Sequence, residues 1–98
     1  MAKKIIWSQR ALNEFNEILE YWAERNQSDI YSRKLAVQII KSVDKIGKFI
    51  YIGKETEDEK ARVYLSGNYS IFYEISKDAV IILCVWDNRR NPDTLNLF

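Results

Sequence analysis

The chain has no histidine, one cysteine, one proline and three glycines among its 98 residues. Without histidine there can be no Ser-His-Asp triad, no imidazole general base and no ordinary zinc site. Three scattered glycines cannot form a phosphate-cradling loop, and no Ser or Cys has a matching base beside it. Cys84 lies inside the apolar run AVIILCVW. A lone thiol excludes an internal disulfide, and this setting reads as a buried thiol in a reducing compartment. No run approaches the roughly 20 apolar residues of a membrane span, and MAKKIIWS carries too few apolar residues for a signal-peptide core. A cytoplasmic protein with no membrane partner is expected.

An excess of one charge is missing too. Lysine and arginine number 15, aspartate and glutamate 14, for a net charge of +1. A general electrostatic grip on nucleic acid needs a clustered basic face, so any such contact must be local. The length suits one domain, 1–98. A chain of this size buries roughly 60–65% of the surface its unfolded form exposes, which leaves marginal stability and favours a habitual partner.

What is present is clear periodicity. KIIW at 4–7 is a short β-prone run ended by Ser8, a good helix N-cap. Ala11, Leu12, Phe15, Ile18, Leu19 and Trp22 form the stripe of an amphipathic helix ending near Glu24 or Arg25. Ser28 and Asp29 offer a second N-cap. Leu35, Ala36, Ile39, Ile40, Val43 and Ile46 repeat the stripe until Gly47 permits a stop. The segment 48–60, with Glu55, Glu57, Asp58 and Glu59, reads as a solvated acidic loop and not as a metal site. ARVYL, YSIFYEI and AVIILCVW then follow, separated by turns at 66–68 and 76–78. Tyr69, Ile71, Tyr73 and Ile75 share one face of the middle strand, and the last strand is apolar on both faces, which argues for an interior place in the sheet. The order β-α-α-β-β-β predicts an α+β two-layer sandwich, with a helical hairpin packed on a small, mainly antiparallel sheet.

Polar chemistry is concentrated late in the chain. Arg62, Tyr64, Tyr69, Tyr73, Arg89 and Arg90 fall on or beside the three-strand meander, with Asp87 placed to orient an arginine. Guanidinium groups bind phosphate or carboxylate bidentately, and phenols stack on bases or carry protons. Each also has a plain reading: Arg62 as an ion pair to Glu74 or the acidic loop, the tyrosines and Trp86 as packing, the arginines as a collar at the sheet end.

The opening IIWSQRALNEFNEILEYW, the pair ARVYLSGNYSIFYEI and the ending VIILCVWDNRRNP together resemble the RelE/ParE superfamily of type II toxin-antitoxin toxins over nearly the whole chain. The resemblance implies the same β-α-α-β-β-β sandwich and a growth inhibitor held silent, in a hetero-oligomer, by a cognate antitoxin. One branch cleaves messenger RNA on the ribosome; the other inhibits DNA gyrase. Where RelE-like nucleases carry a catalytic arginine after the first strand tyrosine, this chain has Ser70; where they carry a C-terminal tyrosine, it has Leu95; Val63 and Leu65 stand in place of a lysine pair. Only Arg89 matches. The resemblance therefore favours the ParE-like branch, with Arg89, Arg90, Trp86, Leu95 and Phe98 as the target- or partner-binding set. Two alternatives stay open: a RelE-like ribosome-dependent endonuclease using Arg62, Tyr64, Tyr73 and Arg89, or a non-toxic member that keeps only antitoxin binding. Whether the chain is an enzyme is undecided between them, and neither needs a cofactor.

Overall fold

The computed structural model describes residues 3–58 and 60–97. Strand β1 (Lys4–Trp7) is followed by helices α1 (Gln9–Asn26) and α2 (Ile30–Lys48), then by strands β2 (Lys54–Glu55), β3 (Arg62–Ser66), β4 (Tyr69–Ile75) and β5 (Ala79–Asp87), and a 3-10 turn at Pro92–Thr94. The strands form one five-stranded sheet in the order β1-β5-β4-β3-β2. β1 runs parallel to β5, and every other pair is antiparallel. The mainly antiparallel α+β sandwich is as the pattern predicts. The added element is β2, two residues of the acidic segment that pair with Val63 and Arg62 at the sheet edge.

Local signals explain most boundaries. The Ser8 hydroxyl accepts the Ala11 N–H at 3.0 Å and caps α1. Gln27 closes that helix in the left-handed conformation, returning its N–H to Glu24. Asp29 precedes α2 without a side-chain cap; its carboxylate pairs instead with Arg33 one turn on. Gly47 does not stop α2, which continues through it to Lys48. Its role is close approach: a Cβ there would lie 2.8 Å from Ile5 Cδ1, so β1 packs directly on the helix backbone.

The core lies between the helical hairpin and one face of the sheet. Leu35, Ile39, Val43 and Ile46 of α2 meet Ile71 and Tyr73 of β4 and Val80, Ile82 and Val85 of β5. From α1, Ala11 is buried, while Phe15, Ile18, Leu19 and Trp22 pack at the margin. Not all of each helical stripe is inside. Leu12 and Ile40 are exposed, because two helices on a narrow sheet cannot turn their full apolar width inward.

β5 carries a bulge. Phe72 pairs with Cys84 and Tyr73 with Ile82, so Leu83 is the extra residue. The side chains facing the helices are Val80 and Ile82 before the bulge and Val85 after it.

At one end of the sheet, Tyr73 and Arg62 fasten the chain between α2 and β2. The buried Tyr73 hydroxyl donates to Ile50 O at 2.8 Å and accepts the Gly53 N–H at 2.9 Å. Arg62 donates to Gly53 O and Tyr51 O, and pairs with Glu55 at 3.4 Å. A Cβ on Gly53 would lie 2.7 Å from both Tyr73 Oη and Val63 O, and the second of these is backbone that cannot swing away. Gly53→Ala is therefore expected to destabilise by about 1–3 kcal/mol, and by more than Gly47→Ala, whose new methyl crowds the Ile5 side chain while the nearest backbone atom outside its own helix, Lys3 O, stays at 3.6 Å. Urea unfolding of the two variants measures the difference.

Candidate functional site: an arginine set among aromatic rings

β1 ends at Trp7, opposite Ile82, so among the described residues no strand flanks the rest of β5 on that side. Groups from the start of α1 take its place. Ser8 Oγ donates to Leu83 O at 3.1 Å, and Glu14 accepts the Val85 N–H at 3.1 Å. Glu14 also receives the Cys84 thiol and pairs with Arg10 at 3.4 Å. Burial, with the Glu14 charge adding to it, pushes the Cys84 thiol up to about 12, so this sulfur stays protonated and unreactive near neutral pH. Arg10 in turn donates to Asn96 O, fixing the tail beside the first turn of α1.

This tether lays α1 along the C-terminal half of β5 and leaves a cleft of about 540 Å³ between them. Its walls are Ile18, Tyr21 and Trp22 of α1, Tyr69 of β4 and Val85 of β5; its charged groups are Glu14, Glu17, Asp87, Arg89 and Arg90. Arg89 sits at the centre. Its Nε and Nη2 reach the two oxygens of Asp87 at 2.9 and 2.8 Å, a bidentate pair. Nη2 also donates to Tyr69 Oη at 3.3 Å, and the guanidinium lies 5.2 Å from the Trp22 ring. Trp22 Nε1 donates to the same phenol oxygen at 2.9 Å, and Tyr31 meets the indole in a T-shaped contact. Arg90, which lines the same cleft, has its guanidinium 4.5 Å from the Trp86 ring.

The electrostatics follow from this geometry. Hydrogen bonds from Arg89 hold the Asp87 carboxyl below the usual carboxylate range, and the same pairing raises Arg89 further. Burial raises the Tyr69 phenol above its ordinary value, so it remains a neutral donor at physiological pH.

The residues singled out in the sequence divide between two ends of the sheet. Arg62 pairs opposite Tyr73, whereas Tyr69 pairs opposite Asp87. Tyr69 and Tyr73 are four residues apart on one strand, about 13 Å. Arg62 and Tyr73 thus stand with the loop they fasten, remote from Arg89, and Tyr64 packs against the helix-side core opposite Ile71. Arg89, Arg90 and Trp86 come together. Ser70 is buried and donates to Asn88 at 2.6 Å. Leu95 and Leu97 are half-buried rather than free, and Phe98 lies outside the described residues. The α1 contribution, Glu17, Ile18, Tyr21 and Trp22, was missed. Ile18 and Trp22 read only as core stripe, and no local pattern marks a helix flank as one wall of a cleft whose other wall begins 47 residues further on, at Tyr69.

The geometry defines a class: a small α+β sandwich with a paired arginine and aromatic rings at the open end of its last strand. A family profile described as "ParE toxin of type II toxin-antitoxin system, parDE" matches residues 5–92. The chain belongs to that family and is a type II toxin component, made to be held by an antitoxin. A solved structure described as "Chromosomal ParDE TA system from P. aeruginosa" shares the fold with a TM-score of 0.77 at 14% identity, over 86% of this chain and 94% of that one. No curated protein matches by sequence. Among the described residues, no helix is long and apolar enough to cross a membrane.

The Asp87–Arg89 pair should show in an acid titration. Because the carboxyl is held below its ordinary value near 3.9, the pair is intact at neutral pH. It is lost only as pH falls through that lowered value. The Trp22 indole N–H resonance is expected to move with a midpoint below about pH 3.9 and to show no such transition in Asp87→Asn. With both partners partly exposed, the stability change should stay within about 1 kcal/mol.

Proposed function

We propose that the protein arrests growth by gripping a protein target, DNA gyrase, and that the Arg89 end of the sheet is the gripping surface. The observation that carries this reading is the condition of Arg89. Its charge is already paired with Asp87, it also donates to Tyr69, and its guanidinium lies 5.2 Å over the Trp22 ring. An arginine held this way is a preorganised contact for another protein, with little entropy left to lose on binding. Ribosome-dependent cleavage would ask for a base, an acid and an uncommitted cation around one phosphate. Around Arg89 the nearest phenol is held neutral by burial, and three carboxylates share the cleft. That distribution weighs against the nuclease reading, and the antitoxin is expected to silence the protein by covering this surface.

The test is supercoiling by purified gyrase with increasing amounts of the toxin. Inhibition is expected, and Arg89→Ala with Arg90→Ala should weaken it by about 30-fold or more, the consequence of losing a hot-spot contact of at least about 2 kcal/mol. Circular dichroism of the double variant shows whether it is folded. Normal supercoiling at large molar excess of folded wild-type protein, with codon-phased cleavage of messenger RNA in induced cells, would replace this reading by the nuclease one.

A further inference from the structure

The cleft beside α1 contains donors that the protein itself does not satisfy. The Tyr69 hydroxyl accepts from both Trp22 Nε1 and Arg89 Nη2, which occupies the lone pairs of its oxygen and leaves its own proton to be donated outward. Tyr69 is only 1% exposed, so its proton has little access to bulk water. Arg89 commits Nε and Nη2 to Asp87 and Tyr69; its Nη1 has no hydrogen-bond partner among the described residues. The Arg90 guanidinium stacks over Trp86 and likewise makes no hydrogen bond among them. Two of the three carboxylates in the cleft are spent, and the third, Glu17, is exposed on α1. Asp87 is taken by Arg89, and Glu14 by Arg10 and the backbone of β5. A ligand that completes this cleft must bring acceptors.

We propose that the cleft is a carboxylate-recognition site. It receives an acidic side chain, flanked by apolar residues, from a protein partner, through the Tyr69 O–H, Arg89 Nη1 and the Arg90 guanidinium. The inference rests on the protein-target reading above and names the chemistry that such a partner must present. Ile18, Tyr21 and Val85 supply an apolar wall for the residues beside the acid. Glu17 and Asp87 line the same cleft and would repel the successive charges of a nucleic-acid backbone more than the one charge of a single carboxylate. Burial keeps the phenol neutral, hence a donor, throughout the physiological range. The locked guanidinium and the aromatic wall mean that little ordering is required on binding.

The experiment is a titration of the full-length, nitrogen-15-labelled protein, following the Trp22 indole N–H and the Arg89 Nε–H. The probes are the blocked tripeptide acetyl-Leu-Glu-Leu-amide, its glutamine counterpart and tetrauridylate. Saturable shifts with the glutamate peptide are expected, at least tenfold weaker binding by the glutamine peptide, and at least tenfold loss in Arg90→Gln, whose fold is checked by circular dichroism because Arg90 stacks over the buried Trp86. Tyr69→Phe should weaken binding as well, although it also removes the acceptor for Trp22. Equal binding of the two peptides, stronger binding of tetrauridylate, or no saturable shift up to millimolar probe would each overturn the proposal. Gyrase supercoiling measured with the wild-type protein separates the two readings: inhibition together with a failed titration sinks the carboxylate site alone.

Discussion

The short first strand is the constraint from which the rest follows. Among the described residues β1 pairs with β5 over Lys4–Trp7 alone, whereas β5 extends five residues past that contact. Buried backbone groups left without partners cost about as much as a lost hydrogen bond, so the remaining edge of β5 had to be satisfied by something other than a strand. Ser8 and Glu14 do this at Leu83 O and Val85 N. Both belong to the start of α1, so completing the edge also fixes the direction in which the helix leaves the sheet. That direction sets Trp22 against Tyr69 and opens the cleft between α1 and the end of β5. The bulge at Leu83 serves the same end, shifting the register so that Val85, and not Cys84, faces the helices.

Two hydrogen-bonded tyrosines on one strand then mark opposite uses of the sheet. Tyr73 donates to one backbone group and accepts from another, and with Arg62 it fastens the chain between α2 and β2. Tyr69 has its acceptor capacity filled by side chains and its donor left over. The same residue type, on the same face, is thus structural at one end and available for binding at the other. What decides between them is whether the neighbouring segment is backbone brought close by a glycine, as at Gly53, or side chains from a helix flank.

The elements themselves were legible in the sequence because their period is local. The 3.6-residue stripes, the Ser8 cap and the turns at Gly67 and Ser76–Asp78 are decided within a few residues, and the structure follows them. Gly47 was read as a stop because glycine commonly ends helices; its actual reason, the approach of Ile5, is a tertiary contact with no local trace. β2 was invisible because two residues carry no period. For the site, Arg89, Arg90 and Trp86 were visible as an abrupt polar end to an apolar strand. Their neighbours on α1 were not, since the pairing of Trp22 with Tyr69 spans 47 positions and depends on the Glu14 tether.

The tether also bears on how a partner would be sensed. Arg10 joins the tail at Asn96 O to Glu14, and Glu14 joins α1 to the β5 backbone two residues before Asp87. A segment entering the cleft therefore meets walls held at both ends by charge-assisted hydrogen bonds, not a loop that must first be ordered. Rigid walls favour discrimination by chemistry over adaptation in shape, since a misplaced charge cannot be accommodated by movement. For a chain with so small a core, fixing the site by polar contacts to β5, the most buried strand, also ties the integrity of the binding surface to the integrity of the fold.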